Sequence, residues 1–289
     1  MANTYDSYTD KQIMRALLTK DFSIIGRAFE DDKITAIKAG AFYTAQSLDR
    51  VSAKNATRIG EMAFMDSGIT SLELDWEKLT FIGSNAFAEL SGSMLPEVLN
   101  LPKAVTIQNG AFSQASNNTA NIVLKSVNAP LWTGEDATSN LVTTTVRGTF
   151  SYCTALVSVS APELVAIPAN CFQRCTSLVN ISFPKAASYG TTAFTTCSSL
   201  VKVRLGGDVR NMNASPFTSC TKLEALVLPG ITTTPTINAA NWTSTNFGKG
   251  TAFFYVPASM VNTLKVTSGW STFADQIRAI EDYPEICNF

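Results

Sequence analysis

An α/β solenoid is the fold class this sequence predicts, with a parallel sheet on one face and short helical caps at both ends. Three observations predict it. An Ile-x-x-x-Ala-Phe unit recurs at a near-constant step through most of the 289 residues. Between copies lies a Val-x-Leu alternation, often closed by proline. A unit of 22–23 residues is also too short to bury its own Phe, Leu and Ile, so neighbouring units must stack to hide them.

The unit is clearest at Ile37…Ala41-Phe42, Ile59…Ala63-Phe64, Ile82…Ala86-Phe87 and Ile107…Ala111-Phe112. It continues more loosely to Phe150, Phe172, Phe194 and Phe217, and the eight Phe are separated by 22, 23, 25, 38, 22, 22 and 23 residues. Ile24…Ala28-Phe29 reads as a further copy, a truncated first turn. After the later Phe residues a second pattern runs, as in Phe172, Cys175, Leu178, Ile181 and Phe183-Pro184. The full unit is therefore Phe-x-x-Cys-x-x-Leu-x-x-Val-x-Leu-Pro, about five residues, then Ile-x-x-x-Ala-Phe, and about eight rungs of 22–23 residues result. Val-x-Leu alternates with period two, which makes each copy a short strand with its apolar side inward. Proline ends the ladder because it has no N–H to donate.

This unit resembles the BspA-like leucine-rich repeat family, over about residues 24–230. The tail, with Tyr255-Val256-Pro257, Leu264-Lys265, Trp270-Ser271 and Ile277-Arg278-Ala279-Ile280, is similar to the terminal segment of such proteins from Gram-positive gut bacteria and their prophages. The resemblance implies a leucine-rich-repeat solenoid. It also implies a role as a bacterial surface protein, in some relatives adhesive toward host proteins, or as a product of a prophage structural region.

The expected organisation is an N-terminal cap over 1–23, the solenoid over 24–230, and a last irregular rung with a C-terminal cap over 231–289. Thr9 or Asp10 is placed to N-cap a short helix carrying Ile13, Met14, Leu17 and Leu18 on one side. From Ser259 to Ile280 the spacing of Val261, Leu264, Trp270, Phe273 and Ile277 predicts two short helices broken near Gly269. The long step from Phe112 to Phe150 predicts an insertion over about 128–146, which in a repeat protein maps to a loop. Trp132, at its start, is either an exposed anchor for a partner or a ring folded back over its rung.

Several chemistries are excluded. The chain has no histidine, which removes Ser-His-Asp and Cys-His nucleophiles and His-ligated zinc together. The net charge is −1, so no basic field gathers nucleic acid or an anionic membrane. No apolar stretch approaches the roughly 18 residues that a spanning helix needs. The first ten residues are polar and do not read as a secretory signal. Asp31-Asp32 and Glu135-Asp136 read as solvated turns rather than an acid–base pair. No enzyme, cofactor or metal is expected.

Cys153, Cys175, Cys197 and Cys220 fall in one column. A straight ladder of thiols makes no tetrahedral metal site. Neighbours in it lie close enough for a disulfide, but parallel side chains give the wrong dihedral. Buried, reduced thiols acting as small hydrophobes are expected. Cys287, in the tail, is expected to be free.

Binding is expected on the open face of the sheet. Its outward residues alternate with the inward Val and Leu: Arg50 and Ser52, Ser71 and Glu73, Val98 and Asn100, Asn121 and Val123, Ser158 and Ser160, Asn180 and Ser182, Lys202 and Arg204, Ala225 and Val227. The face is small and polar with no aromatic stripe, a composition suited to a broad protein contact. Lys202 and Arg204, near Glu224, form its one doubly basic rung. With Asn180, Ser182 and the competing Trp132 they are the candidate ligand-binding residues. The functional expectation is a non-catalytic protein-binding or adhesion module at a bacterial surface or secreted. Its partner would be a host matrix or bacterial envelope protein, with no nucleic acid and no membrane insertion. The alternative is a tail-associated or receptor-binding virion component, or a cytoplasmic protein.

Overall fold

The computed structural model describes residues 10–90, 94–114, 123–134 and 147–289. Val-x-Leu segments become parallel strands stacked in register. They form three hydrogen-bonded groups along one face. The first joins Ala28–Glu30, Arg50–Ser52 and Ser71–Glu73. The second joins Val98–Asn100, Ser126–Asn128 and Ser158–Ser160. The third joins Asn180–Phe183, Lys202–Leu205, Ala225–Val227, Phe253–Val256 and Ile277–Ala279. The inward residue aligns from rung to rung, as in Ile181, Val203, Leu226, Phe254 and Ile277, and all five are buried.

The Ile of each Ile-x-x-x-Ala-Phe unit forms a second, narrower parallel ladder. Ala36–Ile37, Arg58–Ile59, Phe81–Ile82 and Thr106–Ile107 pair in sequence. Ala166–Ile167 then pairs with Ser188–Tyr189, and Asn211–Met212 with Thr236–Ile237. The turn beyond it carries the Phe. Residues two after seven of the eight Phe, Gln114 after Phe112 excepted, take a left-handed φ of 51–64° without being glycine. Such a conformation is unfavourable for an L-residue. Inter-rung hydrogen bonds hold it: Phe42, Phe64, Phe87 and Phe172 each donate to the carbonyl of the residue preceding the next Phe, at 2.8 Å.

That geometry stacks the rings. From Phe42 to Phe217 successive centroids are 5.3–5.9 Å apart with interplanar angles of 1–23°. Phe29 is not a member. It lies inward on a main-face strand opposite Val51, while Phe22, 5.9 Å from Phe42, tops the column. Ala28-Phe29 copies the dipeptide, but the segment 28–30 alternates as a strand.

The step from Phe112 to Phe150 also departs from expectation. The rung's strand is Ser126–Asn128, not one centred between Asn121 and Val123. Leu124 and Val127 supply the Leu-x-x-Val spacing of the other rungs, and both are buried. Relative to the rung after Phe172, six of the extra residues precede Leu124 and ten follow Val127. Most of the expected 128–146 loop lies outside the described residues.

Helix α1 spans Asp10–Thr19. Thr9, one of its two possible caps, lies outside the described residues. Its expected apolar side is only partly used: Ala16 is buried and Leu17 packs on the core, but Met14 and Leu18 are exposed. Helix α2, Ala258–Val266, ends before Gly269, whose φ of +84° lets the chain turn. Trp270–Gln276 follows as a 3-10 helix, and Ile277 adds the last strand rather than a second helix. Helix α3 is the short turn Pro284–Cys287.

Candidate functional site: the open face of the sheet

The outward residues of the main sheet form a surface whose character changes along the rod. At the first rungs it is charged and internally paired. Arg50 lies 2.9 Å from Glu30 and 2.7 Å from Glu73, and Lys54 lies 2.9 Å from Glu73. The Lys54 ammonium bonded to Glu73 holds that carboxyl below its ordinary range, with the Arg50 charge adding to it. At the middle rungs the face is polar, and no described segment lies over it as the tail lies over the last rungs. Asn128 donates to Asn100 at 2.8 Å, and Asn100 donates to Glu77 at 2.9 Å. Ser158, Ser160 and Asn180 are exposed and Ser182 is half-buried.

Lys202 and Arg204 point outward, as their alternation with Val203 and Leu205 requires, but the chain's own tail covers them. The Arg204 guanidinium donates to the Cys287 carbonyl at 2.9 Å. The Lys202 ammonium stands 5.6 Å from the centre of the Phe289 ring. Glu224, expected beside them, forms no ion pair with either among the described residues. One rung on, Ala225 and Val227 also face outward but are buried. With Tyr255 and Cys287 they make a second small core, against which Phe253, Ile280, Tyr283 and Ile286 pack. Tyr255 and Tyr283 meet edge to face at 5.5 Å. Alternation placed these residues on the correct side of the sheet. It carried no information about a segment some 60 residues downstream folding over them.

Trp132 is buried, so it offers no exposed anchor. Its ring packs edge to face on Phe150 at 5.9 Å. The cause is legible afterwards: Ala129-Pro130-Leu131-Trp132 aligns with Ala161-Pro162-Glu163-Leu164, so Trp132 stands where another rung has an inward Leu.

Sequence reasoning missed Trp76, the chain's one tryptophan that is not fully buried. Seven residues separate Leu72 from Leu79, where other rungs have five, as from Val159 to Leu164. The extra length forms a 3-10 turn, Trp76–Lys78, beside the break between the first two strand groups.

The cysteine column is interior. All six cysteines are buried and unpaired. Each laddered thiol donates to a Phe carbonyl of the preceding rung: Cys153 to Phe112 at 3.4 Å, Cys175 to Phe150 at 3.2 Å, Cys197 to Phe172 and Cys220 to Phe194 at 3.0 Å. Burial pushes the Cys153 and Cys220 thiols up to about 12 and raises Cys175 and Cys197 well above their ordinary value. Thiols held so strongly in the protonated form are poor nucleophiles. Among the described residues no group of His, Cys, Asp or Glu could hold a metal ion, and no helix is long and apolar enough to cross a membrane.

A family model described as "BspA type Leucine rich repeat region" matches this chain in six copies, over residues 23–130 and 140–248. No curated protein matches it by sequence. Among solved structures it is similar to the pneumococcal vaccine antigen PcpA. That likeness has 12% identity and a TM-score of 0.44, covering 87% of this chain and 76% of the other. A leucine-rich cell surface protein of Faecalibacterium prausnitzii is 17% identical, with 91% and 81% covered and a TM-score of 0.30. A leucine-rich repeat protein of Bacteroides ovatus is 15% identical, with 87% and 82% covered and a TM-score of 0.34.

Proposed function

The chain belongs to the BspA-type leucine-rich repeat family, and on that premise we propose that it is a non-catalytic adhesion module that binds a protein partner at a bacterial cell surface. The observation that carries the reading is the stretch of sheet face, covered by no described segment, running from Ser126 and Asn128 through Ser158, Ser160 and Asn180 to Ser182. Solenoids bind through extended surfaces of this kind. Small polar side chains on rigid strands leave a partner little ordering entropy to overcome. Lys202 and Arg204 border the stretch where the tail begins to cover the sheet. The surface location rests on the family, whose members include bacterial surface proteins.

The test is capture of purified host matrix proteins and of bacterial envelopes by the immobilised chain, repeated with Ser160→Arg plus Asn180→Glu. Both sites are exposed, so the double variant should keep its unfolding midpoint and lose its partner. Binding unchanged in that variant and abolished by deleting residues 135–146 would overturn the face in favour of the loop. Capture by envelopes alone would replace host adhesion with the virion-component reading.

A further inference from the structure

We infer that the groove beside Trp76 is a binding site for a neutral saccharide. The inference does not depend on the protein-binding reading. The groove borders the near end of that face, with Asn100 one rung from Asn128, but it is lined by different side chains.

The groove opens where the Ser71–Glu73 and Val98–Asn100 strands are not hydrogen-bonded to each other and the Trp76–Lys78 turn lies between them. Its volume is about 690 Å³, within the range of small-ligand sites. Trp76, Glu77, Glu73, Lys54, Asn100 and Val98 line it. The indole packs on Phe87 and Phe112, at 5.1 and 6.4 Å, which fixes its orientation while leaving it half-buried at the groove. Trp242 and Trp270 donate their indole N–H groups to the Met212 and Pro235 carbonyls at 2.8 and 2.7 Å. Trp76 donates its own to no described residue. An aromatic ring with an unspent donor is a platform for a ligand with one apolar face and many hydroxyls.

The charges select a neutral ligand. Three carboxylates rim the groove, which disfavours an anion. Each is already engaged: Glu73 with Arg50 and Lys54, Asp75 with Lys78 at 3.2 Å, and Glu77 with Asn100. A cation meets Glu73 and Asp75 already neutralised, and the Lys54 and Lys78 charges in the same lining oppose it at Glu77. Hydroxyl groups need not, because a carboxylate has about four lone-pair sites and a lysine three donors. Side chains locked in pairs present those sites in fixed directions, and sugar recognition needs such preorganised donors and acceptors.

The experiment uses chitotriose, cellotriose and maltotriose as probes and tryptophan emission as the readout. Trp132, Trp242 and Trp270 are fully buried, so acrylamide quenches Trp76 selectively. The expected result is a saturable emission change with one of the three, accompanied by protection from acrylamide. Glu77→Ala should weaken that sugar about tenfold, the loss of one hydrogen bond to a charged group. Trp76→Phe keeps a ring against Phe87 but removes the donor, and calorimetry should show its binding lost while its unfolding stays cooperative. No response up to the solubility limit of the sugars would overturn the proposal. So would an equal response to glycerol or tetramethylammonium, or affinity unchanged in both variants.

Discussion

The interior column and the outer face are built from the same rungs, yet they follow opposite rules. Along the column the side chain scarcely changes: eight Phe rings stack from Phe42 to Phe217, each within 5.3–5.9 Å of the next. Along the face no two stretches are alike. Ion pairs give way to amides, the amides to serines, and the serines to an apolar patch under the tail. A stacked interior demands identity, because every ring is its neighbour's packing partner. The face meets no such demand, so it is where chemistry can differ and where function must be sought.

The contrast can be broken first from the inside. Phe172 is fully buried, with Phe150 at 5.9 Å and Phe194 at 5.4 Å. Phe172→Ala should cost about 3–5 kcal/mol by chemical denaturation, and a midpoint equal to wild type would remove the column as the source of stability. The second test sharpens the face. Val227 and Ser160 both point outward from the sheet, but Val227 is buried under the tail and Ser160 is exposed. Val227→Lys should cost about 2–3 kcal/mol, since it buries an ammonium beside the Arg204 guanidinium with which residue 227 is in register.

The thiols give a pH signature. Cys153 and Cys220 are shifted from 9.0 to about 12 by burial. Above pH 9 the unfolded chain releases these protons while the folded chain keeps them, so stability must fall as pH rises from 9 to 12. The slope is about 1.4 kcal/mol per pH unit for each thiol. Below pH 9 the two thiols add no slope. Replacing both by Ala should make the alkaline limb shallower while Cys175 and Cys197, also raised by burial, keep part of its slope, and an unchanged limb would mean that the two replaced thiols are not held protonated inside.

Smaller still is Arg204→Ala, which removes one hydrogen bond to the Cys287 carbonyl. At a half-buried site this should cost about 1 kcal/mol. It should show as faster labelling of Cys287 by a thiol reagent, with the four laddered cysteines still protected until unfolding. Last comes Ser160→Asp, within about 0.5 kcal/mol of wild type. A large loss there would show that something covers the middle of the face as the tail covers its end.

What could be read from the amino acids alone divides along the same line. The column was legible because identity over many rungs is itself a signal, and the four cysteines were legible because they share its period. The face was legible only in direction. Lys202, Arg204, Ala225 and Val227 point outward as their alternation requires, but whether a strand's outer side meets water depends on distant chain, here Ile280–Phe289. Trp76 was passed over, and Trp132 was left between an exposed anchor and a ring folded back on its rung, each for a local reason. The first was hidden in two extra residues before Leu79, and the second occupies an ordinary Leu position that its size disguised.

The uniform column has a consequence for how the chain finds its fold. Eight near-identical rings can pair in more than one phase, so a chain that slips by one whole rung still stacks Phe on Phe and Ile on Ile. Misassembly of this sort is a hazard of repeat proteins. The odd-sized rungs act against it, as unequal teeth do on a gear. Trp132 packs edge to face on Phe150, and the seven-residue step from Leu72 to Leu79 has no equal elsewhere along the rod. The irregularities that spoil the repeat are then what give each rung its address.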